Sequence, residues 1–544
     1  MTTPHQQAAQ AHVAKLLPPT WSLERDILLI VGEDAGQIAK PFLAYGLKRV
    51  WIMTPSPLPA EVAPDGAIPL RSRGELHRAI QMLKGEAAGT LALLRTPRCS
   101  LEVGETNAIR SLAMSLLKRK AANEHISADL APRWAINGLK NLNQIGKRAL
   151  VSDIKGEFSG VPMVIVGAGP SLAKNIELLK AAQDRAIIIC VARALHSLQS
   201  AGVMPDFAIS LDAIDIKSHF RDIRISEIPG LLLSMTSHPN LFELDHSGIM
   251  TFSANTEAEG WILDPEDELI KTPAGGSVSC SAMSIGLLWR CNPIIMVGQD
   301  LAFEEGAVYH QGGTDGNTTV KHDPKTNTWT FSGFSDDLAH SLRHQMTDGE
   351  LKANASEAPG YYGGTVQTTP EFAAVREWFS FTAMDEAGRT MLYNCTEGGA
   401  HIEGMHHVPL AEVLEKLPTR ESSTRRVVDA LSVAPIVSSR ASRLRTREEA
   451  CRRAIAEVTR LAQACVQQVD ATKHNPNALN QLQRLERQLS SALPEAFVLS
   501  VAAQSEIREA MEKGACATNL EDSLAASRHL YSVIAAWGER LNAQ

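Results

Sequence analysis

Five consecutive residues carry the sharpest chemical signal in this 544-residue sequence: Gly167, Ala168, Gly169, Pro170 and Ser171, which follow Val164-Ile165-Val166 and precede Leu172. A strand that runs into G-x-G-P-S and then a helix directs backbone N–H groups and a hydroxyl over the helix start, a fit for a phosphate or the polar edge of a nucleotide. The third glycine of a dinucleotide fingerprint would fall on Leu172, and Pro170 stiffens the loop, so the pattern departs from G-x-G-x-x-G. A tight structural turn is the competing reading.

Other candidates sit just after further apolar runs. Arg193 follows one, and Asp212 ends another (DFAISLD), where its carboxylate can accept hydrogen bonds from a ribose or a base or can cap the next helix. Residues 275–279 (GGSVS) precede an expected helix, so Gly276, Ser277 and Ser279 repeat the design of glycine, hydroxyl and free helix N–H, here aimed at a carboxylate. Gln299 and Asp300 place polar groups at a further strand end. His310, ten residues beyond Asp300, is the preferred general base, since imidazole takes a hydroxyl proton near neutral pH. His322 is the second candidate. His340 and His344 have i, i+4 spacing with no Glu between them and no third ligand, which reads as a solvated helix face. Asp212-Ala213-Ile214-Asp215 lacks the D-x-D spacing that clasps a metal-bridged diphosphate, so no metal is expected.

The elements that must position these groups are strands and helices in alternation. Residues 163–166, 186–191, 207–211, 231–235 and 294–297 read as strands, and 172–182 and 281–290 as helices, which is the pattern of a doubly wound parallel sheet. Ligands of such sheets lie beyond the carboxyl ends of the strands, where residues 167–171, Arg193, Asp212 and residues 298–300 fall. Upstream, runs at 26–32, 47–53 and 90–94 with helical stretches between them predict a small parallel α/β unit; Glu33 and Asp34, in the loop after its first strand, argue against an anion there. A polar helical connector spans 111–147, with Trp134, Asn137, Asn141 and Asn143 along it. Residues 303–364 form a polar excursion, with a hairpin expected in 320–329 and a helix near 336–346, of the kind that serves as a lid or acceptor-binding element. A helix at 372–384 and a strand at 391–394 follow. Beyond about residue 417 only helices are expected, the first of them Arg-rich with Glu421, Glu448, Glu449 and Glu457 interleaved as on a solvated face. The expected division is thus 1–130, an N-terminal α/β domain; 131–416, a central domain with a Rossmann-like sheet and a candidate phosphate or nucleotide site; and 417–544, a helical domain.

Composition bounds the class. The chain is 44% hydrophobic and 21% charged, as a folded globular protein is, and Lys+Arg 53 against Asp+Glu 61 leaves −8, so neither nucleic acid nor an anionic membrane is a default partner. The eight cysteines are scattered without a C-x-x-C pair, and no apolar run approaches the roughly 20 residues of a membrane span, so a cytoplasmic, soluble protein with free thiols is expected.

Four separated segments, 161–172 (VPMVIVGAGPSL), 204–212 (MPDFAISLD), 275–281 followed by 292–303 (NPIIMVGQDLAF), and 394–404 (NCTEGGAHIEG), together resemble the motility-associated factor (Maf) flagellin glycosyltransferases over roughly residues 130 to 415. The central domain also resembles the MptE-like (DUF115-type) proteins and the small bacterial sialyltransferases with G-N-G-P-S-L and a later G-x-D; Ala168 stands where those have Asn. The resemblance implies a sialyltransferase-like fold and transfer of a nonulosonic acid, pseudaminic or legionaminic, from its CMP-activated form to Ser or Thr hydroxyls of flagellin, with no tightly bound cofactor. It also implies that residues 167–171 with Asp212 hold CMP, that 276–279 hold the sugar carboxylate, and that a His after G-x-D, here His310 or His322, is the base. Three alternatives remain: a pterin pyrophosphokinase of MptE-like type, a nicotinamide-dependent oxidoreductase in which Arg193 meets a 2′-phosphate, and a non-catalytic flagellin-binding chaperone.

Overall fold

The computed structural model describes residues 21–54, 63–81, 83, 90–254, 259, 261–262, 276–303, 306–335, 339, 346–418, 438–475 and 478–544. The chain divides into two compact units, Met1–Ser127 and Ala128–Gln544.

The first unit is built on β1 (Ile27–Val31), β2 (Val50–Met53), β3 (Ala67–Leu70) and β4 (Leu91–Arg95), all parallel in the order β3-β2-β1-β4. Every residue of β1 and β2 is buried, which is why both read as unbroken apolar runs. The expected β-α-β-α-β order is present, with helices Ala35–Tyr45 and Arg73–Gln81. Sequence reasoning missed β3, an edge strand that carries Pro69 and exposes half of its four residues, so that no apolar run marks it. The acidic loop after β1 is tied to the loop after β4: Ser100 N donates to Glu33 Oε2 at 3.1 Å and Thr96 Oγ1 to Asp34 Oδ1.

The second unit holds a nine-stranded sheet of β5 (Ala149–Leu150), β6 (Met163–Val166), β7 (Ile187–Val191), β8 (Phe207–Ser210), β9 (Gly230–Ser234), β10 (Ile249–Phe252), β11 (Ile294–Val297), β17 (Leu392–Asn394) and β18 (His406–His407). Its order is β18-β17-β11-β6-β7-β8-β9-β10-β5, with every pairing parallel. From β6 the chain steps outward through β10, then crosses back so that β11 pairs with the other side of β6. That reversal makes β6/β11 the topological switch point, where a doubly wound sheet opens a crevice at its carboxyl edge.

Alternate residues of each strand feed two cores, one on each face. Met163, Ile165, Ile187, Ile189, Phe207, Ile294 and Met296 pack under helices Val278–Leu288 and Pro370–Asp385. Val164, Val166, Ile188, Cys190, Ile295 and Val297 pack under the short helices that follow β6 and β7 and helix Leu410–Lys416. The fold is therefore α/β and doubly wound, with period-two burial on both faces. The helix expected at 281–290 begins earlier, at Val278, because Ser277 caps it, its Oγ accepting from Ser279 N at 3.3 Å. The single helix expected at 172–182 is two short ones, Leu172–Asn175 and Leu179–Ala182.

The excursion contains an antiparallel sheet of β12 (Thr319–Asp323), β13 (Thr328–Ser332) and β14 (Leu351–Asn354) and a hairpin of β15 (Ser356–Pro359) and β16 (Thr365–Thr368). Phe303, Val308, Val320, Trp329 and Phe331 give it a small core of its own. The expected hairpin is β12–β13; most of the helix expected near 336–346 lies outside the described residues, and His340 and His344 with it. The C-terminal part is helical, with Ser438–His474, Leu479–Ala492, Gln504–Ala515 and Leu520–Asn542 enclosing Ile455, Val458, Leu461, Leu482 and Leu541. On its first helix Arg452 pairs with Glu448 and Arg460 with Glu457, as on a solvated face, whereas Arg440 is buried in a two-pronged bond to Asp153 at 2.8 and 3.0 Å. Arg425, Arg426 and Glu421 lie outside the described residues. Among the described residues no helix is long and apolar enough to cross a membrane.

Candidate functional site

The loops after β6 and β11 meet over the switch point. Gly167 N donates to Val297 O at 2.8 Å, Gly169 N to Gly298 O at 2.9 Å, and Ser171 gives its N–H to Asp300 Oδ1 at 3.2 Å and its Oγ–H to Asp300 Oδ2 at 2.7 Å. A Cβ on Gly169 would fall onto Asp300 Oδ2, and one on Gly167 would lie 2.5 Å from Gly298 O. The two glycines are therefore required by the approach of one crest loop to the other. This corrects the expectation of bare amides aimed at a phosphate: three N–H groups of the loop are spent inside the protein, and the anion at this helix start is the chain's own Asp300. The third crest segment joins the same knot. Gln299 N donates to Thr396 Oγ1 at 3.2 Å, Ala400 N to Asp300 O at 2.8 Å, and Gly399, at φ 68°, leaves no room for a Cβ beside Asp300 O.

The excursion returns to this crest through His310. Its N–H donates to Ala168 O at 2.8 Å, and its ring Nδ1 stands 2.9 Å from Ser197 Oγ and 3.1 Å from Gly312 N. Burial holds the imidazole below its ordinary pKa. Arg193, just past β7, stacks its guanidinium on Tyr309 at 4.4 Å and is ion-paired with Asp315. Asp315 is fully buried, accepts from Ser335 Oγ at 2.6 Å and has His219 Nε2 3.5 Å away. Arg193 thus serves first as the anchor that straps the excursion to the sheet.

Asp212, past β8, accepts from Ser210 Oγ at 3.0 Å on Oδ2; burial raises its pKa while the Arg193 charge and the Ser210 bond oppose the rise. Its loop and the next are clamped from helix Val103–Gly146. Asn137 Nδ2 donates to Ala213 O and Thr236 O at 2.9 and 3.1 Å, and Asn141 Nδ2 to Met235 O and Ser237 O at 3.0 and 2.8 Å.

The structure thus gathers Gly167, Ala168, Gly169, Pro170, Ser171, Gln299, Asp300, His310 and Arg193 at one edge, with the charge of Arg193 acting on Asp212. Gly276, Ser277 and Ser279 form a helix start whose described hydrogen bonds stay within that helix. His322 stays on the β12–β13 hairpin, its ring tilted against Trp329 with centroids 4.8 Å apart and bonded to Asn327 at 3.3 Å. Among the described residues no group of three His, Cys, Asp or Glu is placed to hold a metal ion. Ser197, Asp315, Thr396 and the clamping role of the asparagines escaped sequence reasoning. Only the asparagines left a trace, as amides four apart on a helix face.

Residues 136–306 match the family model described as 6-hydroxymethylpterin diphosphokinase MptE-like. That stretch carries the loops after β6, β7, β8 and β11 and stops short of His310. A 140-residue stretch is 29% identical to an uncharacterized protein of Treponema pallidum (strain Nichols), over 25% of this chain and 66% of that protein, just under two thirds of its length. A solved structure, described as that of a MAf glycosyltransferase from Magnetospirillum magneticum AMB-1, aligns with a TM-score of 0.49 and 14% identity over 99% of this chain and 84% of that one.

Proposed function

We propose that this protein is a glycosyltransferase that moves a nonulosonic acid of the pseudaminic or legionaminic type from its CMP-activated donor to Ser or Thr hydroxyls of flagellin in the cytoplasm. The observation that supports this reading best is the convergence of Gly167–Ser171, Arg193, Gln299–Asp300 and His310 on the carboxyl edge of a parallel sheet at its switch point. Of these positions, Gly167–Ser171 and Gln299–Asp300 fall in the segments whose order resembles the Maf enzymes, while Arg193 and His310 lie outside them. A CMP-sugar brings a phosphate, a cytidine and a carboxylate to this edge. Because the loop amides are already bonded, polar side chains and the His310 ring do more of the recognition than a bare phosphate loop would. Ser277 and Ser279, at the start of helix Val278–Leu288, are the proposed receptors of the sugar carboxylate.

Co-expression with flagellin and a CMP-nonulosonate pathway, followed by intact-mass measurement, tests the reading. Added nonulosonate masses on flagellin support it, and an unmodified flagellin together with no heat of CMP binding overturns it.

The match of residues 136–306 favours a second reading, transfer of diphosphate from ATP to a hydroxymethylpterin. Heat of binding with ATP and magnesium, and none with CMP, would favour that reading.

A further inference from the structure

We propose that His310 works as a neutral hydrogen-bond donor through Nε2–H toward the departing phosphate, and that the acceptor hydroxyl passes its proton to Asp212. This rests on the transfer reading above. Gly312 N lies 3.1 Å from the His310 ring Nδ1, and a backbone N–H can only donate, so Nδ1 must keep its lone pair. Ser197 Oγ, 2.9 Å from the same atom, is buried on helix Leu195–Ser200 and supplies a second hydrogen-bond partner at that nitrogen. A neutral imidazole with a lone pair on Nδ1 carries its proton on Nε2.

Adding a second proton at Nδ1 would set N–H against N–H and break the Gly312 bond, and burial of the ring works in the same direction. Nδ1 is covered by its two partners, and Nε2 already bears hydrogen, so neither nitrogen is placed to take a proton from a hydroxyl. A neutral ring of this kind stabilises developing negative charge by its N–H dipole. The His310 main chain is pinned to Ala168 O, which fixes the ring beside the loop where the phosphate end of the donor is proposed to lie.

The base must then be another group, and Asp212 suits the role. The described hydrogen bond to its carboxyl falls on Oδ2, from Ser210, and Arg193 sets its charge environment while remaining tied to Asp315. In the step, the hydroxyl oxygen bonds to the anomeric carbon and the bond from that carbon to the phosphate oxygen breaks. The electron pair leaves with the phosphate, which receives the Nε2–H hydrogen bond. The hydroxyl proton goes to the Asp212 carboxylate and then to solvent.

The test has two arms on the full-length protein. Nitrogen-15 histidine spectra at neutral pH, with the His310 signals assigned by their loss in His310→Gln, should show a protonated Nε2 and an unprotonated Nδ1; the opposite tautomer or a doubly protonated ring overturns the proposal whether or not the protein transfers sugar. In steady-state transfer from a CMP-nonulosonate to a Ser/Thr peptide, His310→Gln, whose amide keeps an N–H near the Nε2 position, should retain kcat within about tenfold, and His310→Ala should lose about 100-fold. Gln as inactive as Ala overturns the donor role. Asp212→Asn should lower kcat by about 1000-fold while CMP affinity stays within about threefold, and an unchanged kcat overturns the base assignment. Failure of the transfer reading would show differently, as a wild type that neither binds CMP nor consumes donor.

Discussion

Among single residues, Asp315 shows how much of the crest depends on charge pairing. Its carboxylate is fully buried and answered by Arg193, with Ser335 and His219 at its margins. Removing the cation strands the anion, so Arg193→Ala should lower the unfolding free energy by about 3 kcal/mol in urea titrations, while Arg193→Ala combined with Asp315→Asn should recover much of the loss. A double variant as unstable as the single one would refute the pairing. His407 makes the other residue-scale case. Its Nε2 accepts from Ile402 N at 3.1 Å, its Nδ1 lies 3.1 Å from Met405 O, and it stacks on His401 at 4.0 Å; burial, then the neighbouring histidine, bring its pKa down to about 4. The unfolded chain therefore binds a proton near pH 6.5 that the folded chain refuses until about pH 4. Stability contributed by the neutral ring is present above pH 6.5 and is lost as pH falls toward 4. Discounted for partial exposure, the loss is on the order of 1–2 kcal/mol. His407→Gln should flatten that part of the stability profile against pH, and an unchanged slope would exclude the residue as its source.

At the scale of elements, helix Val103–Gly146 acts as a clamp. Asn137 and Asn141 stand one turn apart, and each spends its amide on two carbonyls of the loops after β8 and β9, which fixes where Asp212 and its neighbours stand. Asn141→Ala removes two buried donors, and a loss of about 2–3 kcal/mol in denaturant titrations is expected. Asn141→Asp keeps the shape and reverses the polarity, so it should be at least as damaging; tolerance of Asp would contradict the clamp. This helix also shows where reading residues in order succeeds and where it stops. Its helical character and the spacing of its asparagines follow from local pattern, while its start at Val103 precedes the expected 111; β6, β7, β8 and β11 follow from local pattern as well, their apolar runs existing because both faces of the sheet are covered. β3, β5 and β18 escape notice because edge strands of two to four residues need no apolar run. Contacts such as Ser197 with His310, or Asp300 with Ser171, join residues 113 and 129 positions apart, and no local periodicity records them. G-x-G-P-S announced a crest loop correctly in place. Its glycines answer to Asp300 and Gly298, a reason that only the packed loops reveal.

For the molecule as a whole, the two-unit division gives ligand binding a spatial signature. A nucleotide that binds at the β6/β11 switch point stabilises every opening that would release it and leaves other openings untouched. With CMP at about 100 times its dissociation constant, the gain is about 2.7 kcal/mol, equivalent to about 100-fold slower exchange for amides that exchange only through such openings. Hydrogen-exchange mass spectrometry with and without CMP should therefore slow peptides covering residues 163–171, 187–197 and 294–300. Peptides covering β1, β2 and β4 of the first unit should exchange at unchanged rates, since the Glu33–Asp34 loop there is closed by its own hydrogen bonds to Thr96 and Ser100. Slowing confined to 27–53 and 91–95 would move the nucleotide site to the small sheet. Slowing spread evenly over both units would mean that CMP acts on global stability without occupying the crest, because a bound ligand protects only the openings that must release it.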